Sequence, residues 1–91
     1  MQYTTLGRSG LTVSRICLGG NSWGAKGRRG WGKFDEAEAP AYFRRALDVG
    51  ITFFDTADVY PLGGTAETAG RTEEIVGKWL RGKRDRFIVA L

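Results

Sequence analysis

The chain has 91 residues, with 14 Lys and Arg against 10 Asp and Glu, a formal net charge of +4, one cysteine and no histidine. The single cysteine excludes an internal disulfide. Without histidine, these residues hold neither a Ser-His-Asp triad nor a His-ligated zinc site.

With 42 % hydrophobic residues, the sequence suits one globular unit over residues 1–91 rather than a disordered tail. A unit this small buries only a modest share of its surface, so its core alone would be marginal. No apolar run reaches the length of a membrane span. The N-terminus also lacks the basic-then-apolar pattern of an export signal. A reducing, cytoplasmic setting is therefore expected, with no membrane partner. The basic residues are scattered and accompany no RNA-binding or helix-turn-helix signature, so no nucleic-acid partner is expected.

In chain order, Tyr3 to Leu6 and Leu11 to Ser14 flank the turn cluster Gly7-Arg8-Ser9-Gly10 and read as a β-hairpin. Arg15 to Leu18 reads as a short strand, with Cys17 as a small core residue, and Gly19-Gly20 ends it. Residues 21–33 hold four glycines, two tryptophans and four basic residues without a period, the mark of a loop long enough to be functional. Asp35 reads as a helix N-cap with Glu38 at capping-box spacing, although Pro40 moves the expected start toward Ala37. Ala39, Phe43, Ala46 and Leu47 recur at helical spacing, and Gly50 stops the helix.

Ile51 to Ala57 is a continuous apolar run, as in a parallel strand covered on both faces. Tyr60 to Arg71 is a second loop. Thr72 reads as the N-cap of a second helix, with Glu73 and Glu74 favoured by the helix dipole. Ile75, Val76, Trp79 and Leu80 form its apolar stripe, Gly77 permits close packing on the sheet, and Gly82 ends it. Phe87 to Leu91 is a third apolar strand. Strands alternating with helices imply parallel βαβ units. Both long loops follow strands and precede helices, the face on which α/β folds bind ligands. A bare apolar strand at the end invites aggregation, which predicts that more chain follows.

Two residues stand out chemically. Asp55 lies at the exit of the buried run, either capping nearby amides or buried against a cation from a neighbouring strand; the residues leave both readings open. Tyr60 by itself is a loop aromatic packing on Pro61, Leu62 or Trp79. Beside Asp55 at a strand end, it becomes a candidate proton donor, which requires a cation to lower its pKa from about 10. Gly19, Gly20 and Asn21 would let a flat ligand approach the backbone, without the spacing of a dinucleotide fingerprint. Trp23 and Trp31 either wall a pocket or pack the loop, and Trp23, nearer the strand end, is favoured as a pocket wall. Lys26, Arg28 and Arg29 are better read as a solvated loop than as a phosphate site. No metal site is expected.

Leu6-Gly7-Arg8-Ser9-Gly10-Leu11-Thr12-Val13-Ser14, Leu18-Gly19-Gly20, Asp55-Thr56-Ala57-Asp58-Val59-Tyr60 and Thr72-Glu73-Glu74-Ile75-Val76-Gly77 together resemble the aldo/keto reductases, from residue 3 to residue 91. The resemblance implies the first third of a (β/α)8 TIM barrel, an N-terminal β-hairpin plus βαβαβ. It implies reduction of a small-molecule carbonyl substrate with the reduced form of NADP, or alternatively of NAD. Of the family's Asp, Tyr, Lys and His tetrad, Asp55 and Tyr60 match the first two. Tyr60 would protonate the carbonyl oxygen, and Asp55 would pair with the lysine that lowers the tyrosine pKa. Gly20, Asn21, Trp23 and Asp55 match positions toward the nicotinamide.

The family lysine follows the third strand and the histidine comes later, so these 91 residues alone are expected to be inactive. After Tyr60 the family often has Gly, whereas Pro61-Leu62 here opens a longer loop. The alternatives are a non-catalytic βα module that binds a partner, or a second copy, through its open strand edge, and a basic nucleic-acid-binding domain.

Overall fold

The computed structural model describes residues 1–24, 34–35 and 37–91. Its elements are β1 (Tyr3–Thr5), β2 (Thr12–Ser14), β3 (Cys17–Leu18), β4 (Trp23–Gly24), β5 (Phe34–Asp35), α1 (Ala39–Asp48), β6 (Phe53–Asp55), α2 (Arg71–Leu80) and β7 (Ile88–Ala90), with a short 3-10 turn at Arg84–Arg86.

The hairpin forms as expected. β1 and β2 are antiparallel, with Tyr3 opposite Ser14 and Thr5 opposite Thr12. Leu6 N–H donates to the Leu11 carbonyl at 2.8 Å, and Gly7 and Gly10 take positive φ (54° and 79°), a conformation that suits residues without a Cβ. Two contacts fasten the hairpin to the rest. Ser14 Oγ accepts the Thr52 N–H at 3.0 Å, and Thr52 Oγ1 accepts the Ser14 N–H at 3.3 Å. Tyr3 Oη donates to the Gly50 carbonyl at 2.8 Å.

β3, β6 and β7 form a parallel sheet in that order, with Leu18 beside Phe54 and Phe54 beside Val89. The architecture is α/β, a hairpin followed by βαβαβ. The sheet does not close into a barrel among the described residues. A second parallel pair, β4 with β5, sets Trp23 beside Phe34 and Gly24 beside Asp35. The sequence pattern predicts a loop at Trp23–Gly24, and the structure forms a strand there. Lys26, Arg28, Arg29, Trp31 and Glu36 lie outside the described residues.

Both helix starts differ from expectation. α1 begins at Ala39 with Glu38 as N-cap and no side-chain cap bond, while Asp35 belongs to β5. Pro40 decides this, because in the first turn its missing N–H is not needed and its φ is already helical. The far end follows the sequence. Gly50 has φ 88°, its N–H donates to the Leu47 carbonyl at 3.0 Å, and Ile51 N–H donates to the Ala46 carbonyl at 2.9 Å. This is a Schellman closure. At α2 the N-cap is Gly70, also at φ 88°, and Thr72 is already the second helical residue. Glu73 and Glu74 do occupy the first turn. Gly77, expected against the sheet, is exposed with nothing within 4 Å of where a Cβ would stand.

The core lies between the helices and one face of the sheet. Phe43 of α1, Ile75, Val76 and Leu80 of α2, Phe54 of β6 and Phe87 before β7 are all buried. Phe43 stacks on Trp79 at 4.9 Å between centroids and Phe54 stacks on Phe87 at 4.9 Å, separations at which aromatic pairs add to simple area burial.

Covering β6 on one side only has a direct consequence. Phe54 is 2 % exposed, whereas Phe53 and Asp55, pointing to the other face, are half-buried. Among the described residues the strand is therefore covered on one face. Cys17, the register partner of Phe53, shares that open face and is exposed rather than a core residue.

Candidate functional site

Asp55 ends β6, and the chain then turns over the C-terminal edge of the sheet to Tyr60. Tyr60 Oη donates to Asp55 Oδ2 at 3.4 Å. The carboxylate's negative charge, aided by partial burial and this hydrogen bond, holds the Tyr60 pKa above its ordinary value. An anion keeps the proton on a phenol, and a cation releases it. The pair thus stores a proton on Tyr60 and needs a positive charge nearby to give it up near neutral pH. Both residues stand at one strand end, as the sequence reading required. Asp55 is half-buried rather than enclosed.

Tyr60 is held through its backbone. Its N–H donates to the Ala57 carbonyl at 3.2 Å, and its own carbonyl accepts Gly70 N–H at 3.1 Å and Thr72 N–H at 3.5 Å. The left-handed Gly70 aims those amides, which open α2, at the loop carbonyl. The next peptide, Tyr60–Pro61, is cis. Leu62 N–H donates to the Asn21 carbonyl at 2.9 Å, which ties this loop to the one after β3.

The residues after β3 divide into two groups. Gly19 is exposed, with open space where a Cβ would stand, so a flat ligand can reach its backbone. Gly20 is buried, and a Cβ there would run into the backbone carbonyl oxygen of Asp55 and meet Thr72 Cγ2 at 3.3 Å. The room that Gly20 leaves is filled by β6. Asn21 is half-buried beside it.

Trp23 does not wall an open pocket. It is 4 % exposed, packs 5.2 Å from Phe43 between centroids, and donates Nε1–H to the Gly19 carbonyl at 2.9 Å. A large ring with one polar tip satisfied is a core residue, and β4 turns it inward.

Thr72, expected as a helix cap, is also placed differently, inside the first turn of α2. It is fully buried, and its hydroxyl donates to the Trp23 carbonyl. Its only sequence signal was the Thr-Glu pair, which reads equally well as a helix cap. A groove of about 410 Å³ lies outside β7, floored by Val76, Leu80 and Val89. Neither Asp55 nor Tyr60 lines it. Among the described residues no helix is long and apolar enough to cross a membrane.

A family model for the aldo/keto reductases matches residues 15–91. The uncharacterized oxidoreductase YrpG of Bacillus subtilis is 43 % identical over 93 residues, covering 99 % of this chain and 26 % of that protein. The aldo-keto reductase YhdN of the same organism is 42 % identical over 92 residues, covering 99 % of this chain and 25 % of its own length. The crystal structure of a Pseudomonas aeruginosa protein assigned as an aldo-keto reductase superposes with a TM-score of 0.70 at 34 % identity, over 96 % of this chain and 29 % of that one. The chain spans about a quarter of the length of the curated relatives it matches.

Proposed function

Because the chain belongs to the aldo/keto reductase family, an oxidoreductase family, we propose that it carries the first part of the active site of an NAD(P)H-dependent enzyme reducing an aldehyde or ketone to an alcohol. One observation carries the reading: the hydrogen bond from Tyr60 to Asp55 at the C-terminal end of β6. Tyr60 Oη is the proton donor to the carbonyl oxygen of the substrate. Asp55 draws in the cation that the pair lacks and fixes its distance from the phenol. Once paired with that cation, Asp55 no longer opposes ionisation of Tyr60, and the phenol becomes a competent acid near neutral pH.

Gly19 and Asn21 fit the nicotinamide end of the cofactor, since the backbone at Gly19 is open to a flat ring. When bound, the reduced nicotinamide supplies the hydride. Gly20 serves the site from behind, by admitting β6. The single exposed thiol, Cys17, fits a reducing cytoplasm.

The test is NADPH consumption by the full-length protein with a panel of aliphatic and aromatic aldehydes, repeated with NADH. Tyr60→Phe is expected to lower kcat by about 10²-fold or more, the usual range for losing a positioned acid. A Tyr60→Phe enzyme turning over at the wild-type rate would sink the proposal. The 91 residues alone hold no histidine, and no turnover is expected from them.

A second reading, binding rather than catalysis, draws on the position of β7 at the edge of its sheet among the described residues. A relative from Oryza sativa, 41 % identical over 81 residues, is named a probable voltage-gated potassium channel subunit beta. Cofactor binding by the full-length protein without turnover of any carbonyl would favour that reading.

A further inference from the structure

Thr72 belongs to the Thr-Glu motif, which by its local pattern reads as a helix cap, yet α2 is capped by Gly70. Its side chain points back, away from the helix, and is fully buried. The hydroxyl donates to the Trp23 carbonyl. The methyl lies on the Gly20 side, where a Cβ added to Gly20 would meet it at 3.3 Å. The backbone N–H of the same residue, with that of Gly70, holds the Tyr60 carbonyl. One residue thus touches both loops of the site. It holds the start of β4 by its hydroxyl, sets its methyl beside Gly20 in the loop after β3, and holds the loop after β6 by its amide.

We propose that Thr72 is a positioning residue for Tyr60, fixing the phenol by locking the first turn of α2 to the Trp23 carbonyl. The proposal rests on reading Tyr60 as the proton donor. The physical case follows from the partners. The Thr72 hydroxyl is fully buried, and a buried hydroxyl needs a partner, here the Trp23 carbonyl. If the hydroxyl is removed, the first turn of α2 no longer has a fixed seat against β4. The amides of Gly70 and Thr72 then move, and the Tyr60 carbonyl moves with them. A proton donor displaced by a fraction of an ångström keeps its chemistry and loses its alignment.

Two pairs of proteins isolate the hydroxyl. Wild type and Thr72→Val differ by a hydroxyl against a methyl, and Thr72→Ser and Thr72→Ala differ by a hydroxyl against nothing. In the full-length protein, Val and Ala are expected to lower kcat roughly ten- to hundredfold, with the KM for the carbonyl substrate changed less than about threefold. Ser is expected to restore most of the rate.

Amide hydrogen exchange gives the readout that does not depend on turnover. Exchange at Gly70 and Thr72 should quicken in the Val and Ala proteins, while the α1 amides keep their wild-type rates. Wild-type exchange at both amides in Val and Ala overturns the positioning role, whatever the kinetics. Equal rates in the Ser and Ala proteins do the same. If the wild-type protein reduces no carbonyl, the enzymatic reading fails, and the exchange data still decide whether Thr72 holds the Tyr60 loop. Should Thr72→Val not fold, the Ser and Ala pair carries the comparison.

Discussion

Tyr60 Oη and Asp55 Oδ2 lie 3.4 Å apart, and the carboxylate raises the proton affinity of the phenol it touches. In these residues the relationship works against acid catalysis, which gives it a clean signature. Asp55→Asn keeps the shape and removes the charge. The Tyr60 pKa should then fall back toward about 10, followed as the ring-carbon shift of Tyr60 in an NMR titration. The sign for stability follows. A folded-state pKa above the unfolded one gives a contribution fully present below about pH 10 and lost as pH rises through the folded value. Asp55→Asn should shrink that alkaline loss. An unmoved Tyr60 midpoint in the variant would refute the coupling.

Gly20 tests whether β6 is seated by the absence of a side chain. A Cβ at that position meets the Asp55 backbone carbonyl, and backbone cannot swing aside as a flexible side chain can. Gly20→Ala should destabilise by about 1–3 kcal/mol, as overpacking generally does. Gly77→Ala, in the middle of α2 with nothing within 4 Å of the new Cβ, should be neutral or stabilising by up to about 1 kcal/mol. Urea melts of the 91-residue chain with both variants make the comparison. Equal effects would show that the close approach at Gly20 relaxes freely.

The contrast between these glycines also shows what the sequence could reveal. The order of elements was legible because apolar runs of strand length alternate with stripes of helical spacing. Asp55 and Tyr60 were legible because an acid after Phe53-Phe54 is out of place in a strand. What Gly20, Gly77 and Trp23 face was not legible, since it depends on the packing of segments far apart in the chain. Gly20 reads as a ligand approach until β6 is seen to fill it. Trp23 reads as a loop aromatic until β4 pairs with β5. Thr72 fits a cap motif in every local respect, and only the distant Trp23 carbonyl reveals its use. Cys17 looks buried because sequence shows a strand's apolar character but not which face its helices cover.

The hairpin's attachment yields a third prediction. Ser14 and Thr52 exchange two backbone-to-hydroxyl bonds, at 3.3 and 3.0 Å, and Ser14 is 1 % exposed. Ser14→Ala leaves the part-buried Thr52 N–H without its acceptor, at a cost of about 1–3 kcal/mol. In a domain of this length each kcal/mol lowers Tm by about 4–8 °C. Ser9, whose hydroxyl donates to the Leu6 carbonyl in the exposed turn, is the control. Ser9→Ala should change stability by no more than about 0.5 kcal/mol. Thermal melts showing the two variants alike would mean that the hairpin is not fastened through Ser14.

Cys17 provides a probe of the open face of the sheet. Its residue is exposed, yet its sulfur lies 3.9 Å from the Leu18 carbonyl, and partial burial followed by the charge of Asp55 hold the thiol pKa above its ordinary value. The thiolate is the reactive form, so access alone does not make this cysteine reactive. Alkylation by iodoacetamide at pH 7 should be slower than for an unstructured peptide around the same residue. It should quicken with rising pH, with a midpoint above the peptide's. Asp55→Asn should recover only part of the difference, because burial is the larger cause and remains. Full recovery in Asp55→Asn would make the carboxylate the dominant influence, and a rate equal to the peptide's in the wild-type chain would mean that the sulfur is fully solvated.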